Sequence, residues 1–202
     1  MRARLLAAAI LATTSAPLGA ALAADVGGAF AFKGAGLRPC GDFAAAFDAR
    51  TPALGQYAGW VGGFLSGVNL FRDDTFDIAP WQSTSVLLSA LAGYCRDNPD
   101  RPLHAAVTAM VERLAEDRLA TASRPRLVMV GGETTVLYAA VIARLQTRLA
   151  ALGLLEGDAD GAFDEATETA LAAFQAEIGR EPTGFPDQAT LFSLFDAPPA
   201  AD

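Results

Sequence analysis

Apolar residues recur at helical spacing along most of this chain, and prolines, glycines and charged clusters cut the pattern into separate segments. The first helical segment starts at Cys40 and runs through the AAAFDAR string, after which Thr51 and Pro52 restart a helix, proline being suited to a first turn. Residues 53–71 follow without a single charge, and Gly59, Gly63 and Gly67 fall four apart, a spacing that lets helices approach closely. Gln56, Ser66 and Asn69 would be costly in lipid, so this segment is expected to be a buried helix of a water-soluble domain, its glycines marking where a neighbouring helix packs. A further helix from about Ser83 places Val86, Leu87, Ala90, Leu91 and Tyr94 at helical spacing before Cys95 and stops at Asn98 and Pro99. After Pro102 comes an amphipathic helix with Leu103, Val107, Met110, Val111 and Leu114 on its apolar side.

Residues 120–126 have linker composition, and the LVMV and TTVLY strings flank Gly131 and Gly132, consistent with either a hairpin or an extended lead into the next helix. From Tyr138 the helical period returns: Val141, Leu145, Leu149 and Leu152 line one side of a helix closed by Gly153. A second stripe, Phe163, Thr167, Ala170, Leu171, Phe174 and Ile178, ends at Gly179, and a third short helix near Pro186 and Asp187 directs Leu191 and Leu194 inward. The fold class expected is all-α, with a disulfide-linked helical domain over 38–119, a linker over 120–137 and a three-helix module over 138–196. A flexible leader at 24–37 and a tail at 197–202 complete the division.

Composition changes this picture at the N-terminus. Arg2 and Arg4 precede an uncharged Ala/Leu/Ile run that ends in small residues at Ala21 and Ala23, the pattern of a secretory signal peptide over residues 1–23. Removing it leaves 13 basic residues against 23 acidic ones, a net charge near −10, which makes nucleic acid and anionic lipid poor partners. The two cysteines, Cys40 and Cys95, read in an exported protein as one disulfide. Closing so long a loop is worth roughly 4 kcal/mol on the chain-entropy account.

Catalytic chemistry finds little to work with. His104 is the only histidine and sits on an ordinary helix, the glycines around Ser66 are wrongly spaced for a nucleophile elbow, and Asp73 and Asp74 read as a solvated turn. Residues 156–163 imitate a calcium loop, but its twelfth position is Thr167, where a bidentate glutamate should stand. The expectation is a non-enzymatic chain with no cofactor and no metal.

The string from Arg144 onward is specific. Leu145-Gln146, Leu152-Gly153, Asp160-Gly161, Phe163, Thr167, Phe174-Gln175, Thr183-Gly184, Asp187 and Thr190-Leu191 together resemble the peptidoglycan-binding domain found beside many cell-wall hydrolases, with Asp164 standing where that family usually has glycine. The resemblance implies a wall-binding module, for which Gln146, Asp160, Phe163, Gln175, Thr183 and Phe185 are the candidate ligand residues. Since residues 138–196 carry three basic and ten acidic side chains and peptidoglycan also bears carboxylates, binding has to rest on hydrogen bonds and shape, with modest affinity. More distantly, the CGDF, DIAPWQ and YCRDNPD strings resemble the HdeA/HdeB-type periplasmic acid-stress chaperones and the Rap/Tai-type immunity proteins that neutralise cell-wall amidases. These resemblances imply a periplasmic protein in which the N-terminal helices meet a protein partner or client. A wall-targeted hydrolase or its accessory subunit, and an immunity protein, are the alternatives.

Overall fold

In a computed structural model that describes residues 30–196, the elements follow in the order α1 (Cys40–Asp48), α2 (Ala53–Phe71), α3 (Thr84–Asp97), α4 (Leu103–Leu114), β1 (Pro125–Val130), β2 (Glu133–Tyr138), α5 (Ala139–Ala151), α6 (Glu165–Glu177) and α7 (Gln188–Asp196). The expected signal peptide over 1–23, the first part of the expected leader and the expected tail over 197–202 lie outside the described residues. The described residues from Phe32 onward cluster as one unit.

Helices α1 and α3 are stapled by the Cys40–Cys95 disulfide, with both cysteines fully buried. Around the staple Phe43, Tyr57, Val61, Leu91, Leu103 and Val107 make the first core. Ser83 caps α3, its hydroxyl accepting from the Val86 N–H, which satisfies one of the donors that a helix start leaves open. Within the segment expected to be a leader, 34–37 form a 3₁₀ turn, the Trp60 indole donates to the Lys33 carbonyl at 2.7 Å, and Gly36 lies so close under the Trp60 ring that a side chain there would collide with it.

Helix α2 departs from expectation. Only Tyr57 and Val61 are buried in it, and a Cβ added at Gly55, Gly59, Gly62, Gly63 or Gly67 would meet nothing within 4 Å. The glycines therefore mark an open face and not a helix contact. Among the described residues no helix is long and apolar enough to cross a membrane.

The fold is also not purely helical. Residues 125–138, which span the end of the linker expected over 120–137 and the first residue of the expected module, form an antiparallel hairpin in which Leu127 pairs with Val136 and Val130 with Glu133. Gly131 and Gly132 both take positive φ (59° and 88°), as a two-residue turn matched to strand twist requires. Strand alternation sends Val128, Val130 and Leu137 inward and leaves Leu127, Met129 and Val136 exposed.

The inward hairpin residues join a second core with Val141, Ile142, Leu145, Leu171, Leu191 and Leu194 of the last three helices. Trp81 and Leu119 belong to this core too, so the N-terminal helices and the C-terminal module share it. Polar ties reinforce the junction. The Gln188 side chain donates to the Trp81 carbonyl and accepts from the Ser83 N–H, both at 2.7 Å, and Arg144 reaches the Asp117 carbonyl at 3.0 Å.

Candidate functional site

Two loops precede α6 and α7, and each is held by a glutamine from the helix before it. Gln146, on α5, is 3% exposed. Its amide donates to the Ala162 carbonyl at 2.9 Å and to Thr167 Oγ1 at 3.1 Å, with Asp160 Oδ1 at 3.2 Å, while its Oε1 accepts from the Gly161 N–H at 2.9 Å. Gln175, on α6, is fully buried. It donates to the Phe185 carbonyl at 2.9 Å and to Thr190 Oγ1 at 3.1 Å, and accepts from the Gly184 N–H at 2.7 Å.

The correspondence extends along both loops. Asp160 Oδ1 accepts from the Ala162 N–H, and Thr183 Oγ1 accepts from the Phe185 N–H two residues on. Asp164 caps α6 by accepting from Thr167, as Asp187 accepts from Thr190 at the start of α7. Gly161 and Gly184 sit at φ of 74° and 70°, where added side chains would strike Ala139 and Glu168 respectively. The chain thus uses one device twice, and the sequence carries it as GAFDEAT at 161–167 and GFPDQAT at 184–190. That internal repeat was the signal from which the role of the glutamines could have been read.

Gln146 and Gln175 therefore correct the expectation that they face a ligand. Their hydrogen-bonding groups are turned into the protein and occupied by it, since a buried amide left unpaired would be costly. The structure joins Gln146 to Asp160, and Gln175 to Thr183 and Phe185, but no hydrogen bond links the two sets. Asp160 and Thr183 are exposed; Phe163 and Phe185 are half-buried, packed against the second core. Gly184 abuts Glu168 in the first turn of α6, the helix that the Asp160–Phe163 loop enters, so the loops adjoin at one end of that helix.

This end is acidic. Asp160, Asp164, Glu165 and Glu168 stand on or beside it, and both aspartates are held below the ordinary carboxylate range. For Asp160 the main cause is the Ala162 N–H, followed by the Gln146 amide; for Asp164 it is the Thr167 hydroxyl, then the Thr167 N–H. The surface suits ligand groups that are neutral or cationic, such as amides, hydroxyls and amines, and repels carboxylates. Elsewhere His104 stacks on Phe32 with ring centroids 3.8 Å apart.

Comparison with known proteins adds one finding. Residues 139–194 match the family model described as "Putative peptidoglycan binding domain", a span that takes in α5, α6, α7 and both glutamine-held loops but not the hairpin. No curated protein and no solved structure matches the chain. Residues 139–194 thus carry a peptidoglycan-binding module, and with the buried disulfide this fits a cell-wall-associated, extracytoplasmic protein.

Proposed function

We propose that this is an exported periplasmic protein that binds peptidoglycan without cleaving it, while its N-terminal helices serve a protein partner or client. The observation that carries the reading is the family match over the whole three-helix module, including both loops. Asp160, Phe163, Thr183 and Phe185 are assigned to the ligand surface, with Gln146 and Gln175 as positioning residues that hold the loops from beneath. The acidic end of α6 favours the amide, hydroxyl and amine groups of the wall polymer, so affinity is modest and only weakly dependent on salt.

Sedimentation with purified sacculi tests this. The full chain is expected to pellet saturably, and Thr183→Ala combined with Phe185→Ala to leave most of it in the supernatant under conditions where thermal unfolding shows the variant still folded, at a midpoint lowered by the lost core packing of Phe185. A wild-type chain that stays soluble at every sacculus concentration overturns the proposal. Removing the module is a poorer control, because Trp81 and Leu119 share its core. Dye-labelled sacculi should release no dye under the same conditions; reproducible turnover would put the hydrolase reading in its place.

A further inference from the structure

Helix α3 has more apolar surface than its neighbours cover. Leu88, Ala92 and Cys95 pack toward the disulfide, while Val86, Leu87, Ala90, Leu91 and Tyr94 form one wall of a cleft of about 480 Å³. Opposite them stand Ala106, Met110 and Leu114 around α4, and Trp81, Phe192 and Phe195 close one end. That volume falls within the range of small-ligand sites.

A second observation is independent of the cavity. Trp81 is 93% buried by its 7% exposure, yet its indole N–H is buried with no acceptor, the sole such side-chain atom among the described residues. Indoles placed in protein cores ordinarily find a partner for this donor, and leaving it unpaired carries a desolvation penalty. Here the deficit belongs to a residue that lines the cleft. Phe192 meets Trp81 edge to face at 6.0 Å and is half-exposed, and Phe195 lies against the same indole at 5.3 Å.

We propose that this cleft is a second wall-ligand site, separate from the loops of the module, and that it takes an N-acetylated sugar ring. The proposal rests on the wall-binding reading for its biological ligand. An acetamido group supplies a carbonyl for the orphaned indole N–H and a methyl for the Met110 and Leu114 side. The apolar C–H face of the sugar stacks on Phe192 and Trp81. At the rim Arg113, Glu116 and Asp117 present donors and acceptors of both charge signs, which matches hydroxyls; a purely apolar ligand would leave them unused, and an anionic one would meet two carboxylates.

The test is a titration of the isotopically labelled full chain with tri-N-acetylchitotriose, followed through the indole N–H resonances. The chain has two tryptophans, and Trp60, whose N–H already donates to Lys33, serves as the internal reference; a Trp60→Phe variant assigns the signals. The Trp81 resonance is expected to move saturably while that of Trp60 stays still, the de-acetylated trimer is expected to have no effect, and Phe192→Ala to weaken binding about tenfold. A Trp81 resonance that does not move at millimolar saccharide, or that moves equally with the de-acetylated trimer, overturns the proposal. Sacculus pelleting without a Trp81 response removes this site and leaves the wall-binding reading intact. A Trp81 response without pelleting does the opposite.

Discussion

Replacing Gln175 with leucine keeps nearly the same volume and removes every hydrogen bond made by the latch. The Gly184 N–H and the Phe185 carbonyl then lose their partners at 2.7 and 2.9 Å, in a place where Gly184 and the following Pro186 are buried. Thr190 also loses the donor to its hydroxyl. With about 1–3 kcal/mol for each stranded backbone group, the substitution costs roughly 4 kcal/mol, a large share of the 5–15 kcal/mol typical of a domain. At a urea slope near 2 kcal/mol/M, that lowers the unfolding midpoint by about 2 M. Gln146→Leu should cost less, because Ala162 is exposed and water can replace the lost amide at its carbonyl. Urea unfolding followed by far-UV circular dichroism measures both. If either variant unfolds at the wild-type midpoint and instead loses sacculus binding alone, the glutamines contact ligand and the reasoning from burial is wrong.

Other consequences follow from particular sites. Gly59→Ala and Gly63→Ala, at helix positions with open space around them, should each stabilise the protein by about 0.5–1 kcal/mol in thermal unfolding; destabilisation would mean that the face is packed in solution. Reducing Cys40–Cys95, which are 55 residues apart in sequence, should cost about 4 kcal/mol, and an unchanged urea midpoint in reductant would contradict the stapled core. Asp164 has a depressed folded pKa, so its contribution is complete above the ordinary carboxylate value and is lost as pH falls through the folded one. Asp164→Asn should accordingly lose less stability than wild type between about pH 6 and about pH 2, and parallel stability curves would refute the assignment.

The parts legible in the sequence are those where period and punctuation agree. Leu145, Leu149, Leu191 and Leu194 are buried as their spacing implies, Gly153 and Gly179 end helices at positive φ, and the cysteines pair. Glycines in α2 misled because four-residue spacing signals close approach only when a neighbour is there, and none is. Polarity misled at Gln146 and Gln175, since a glutamine whose partners are backbone groups of a distant loop looks the same in sequence as one awaiting ligand. Apolar positions nearly encircle α3, and period alone does not say which of them the rest of the chain covers; Val86 and Ala90 were left to line the cleft. The hairpin was open as an alternative, and the alternation of Val128 and Val130 with Leu127 and Met129 gives its physical reason.

Chemical-shift mapping of the labelled chain with soluble muropeptides released from sacculi tests the central claim most directly. Backbone signals of Asp160, Phe163, Thr183 and Phe185 should shift together along one saturable isotherm, with the buried side-chain amides of Gln146 and Gln175 retaining their hydrogen-bonded positions. Loops that stay unperturbed through millimolar ligand would contradict the account.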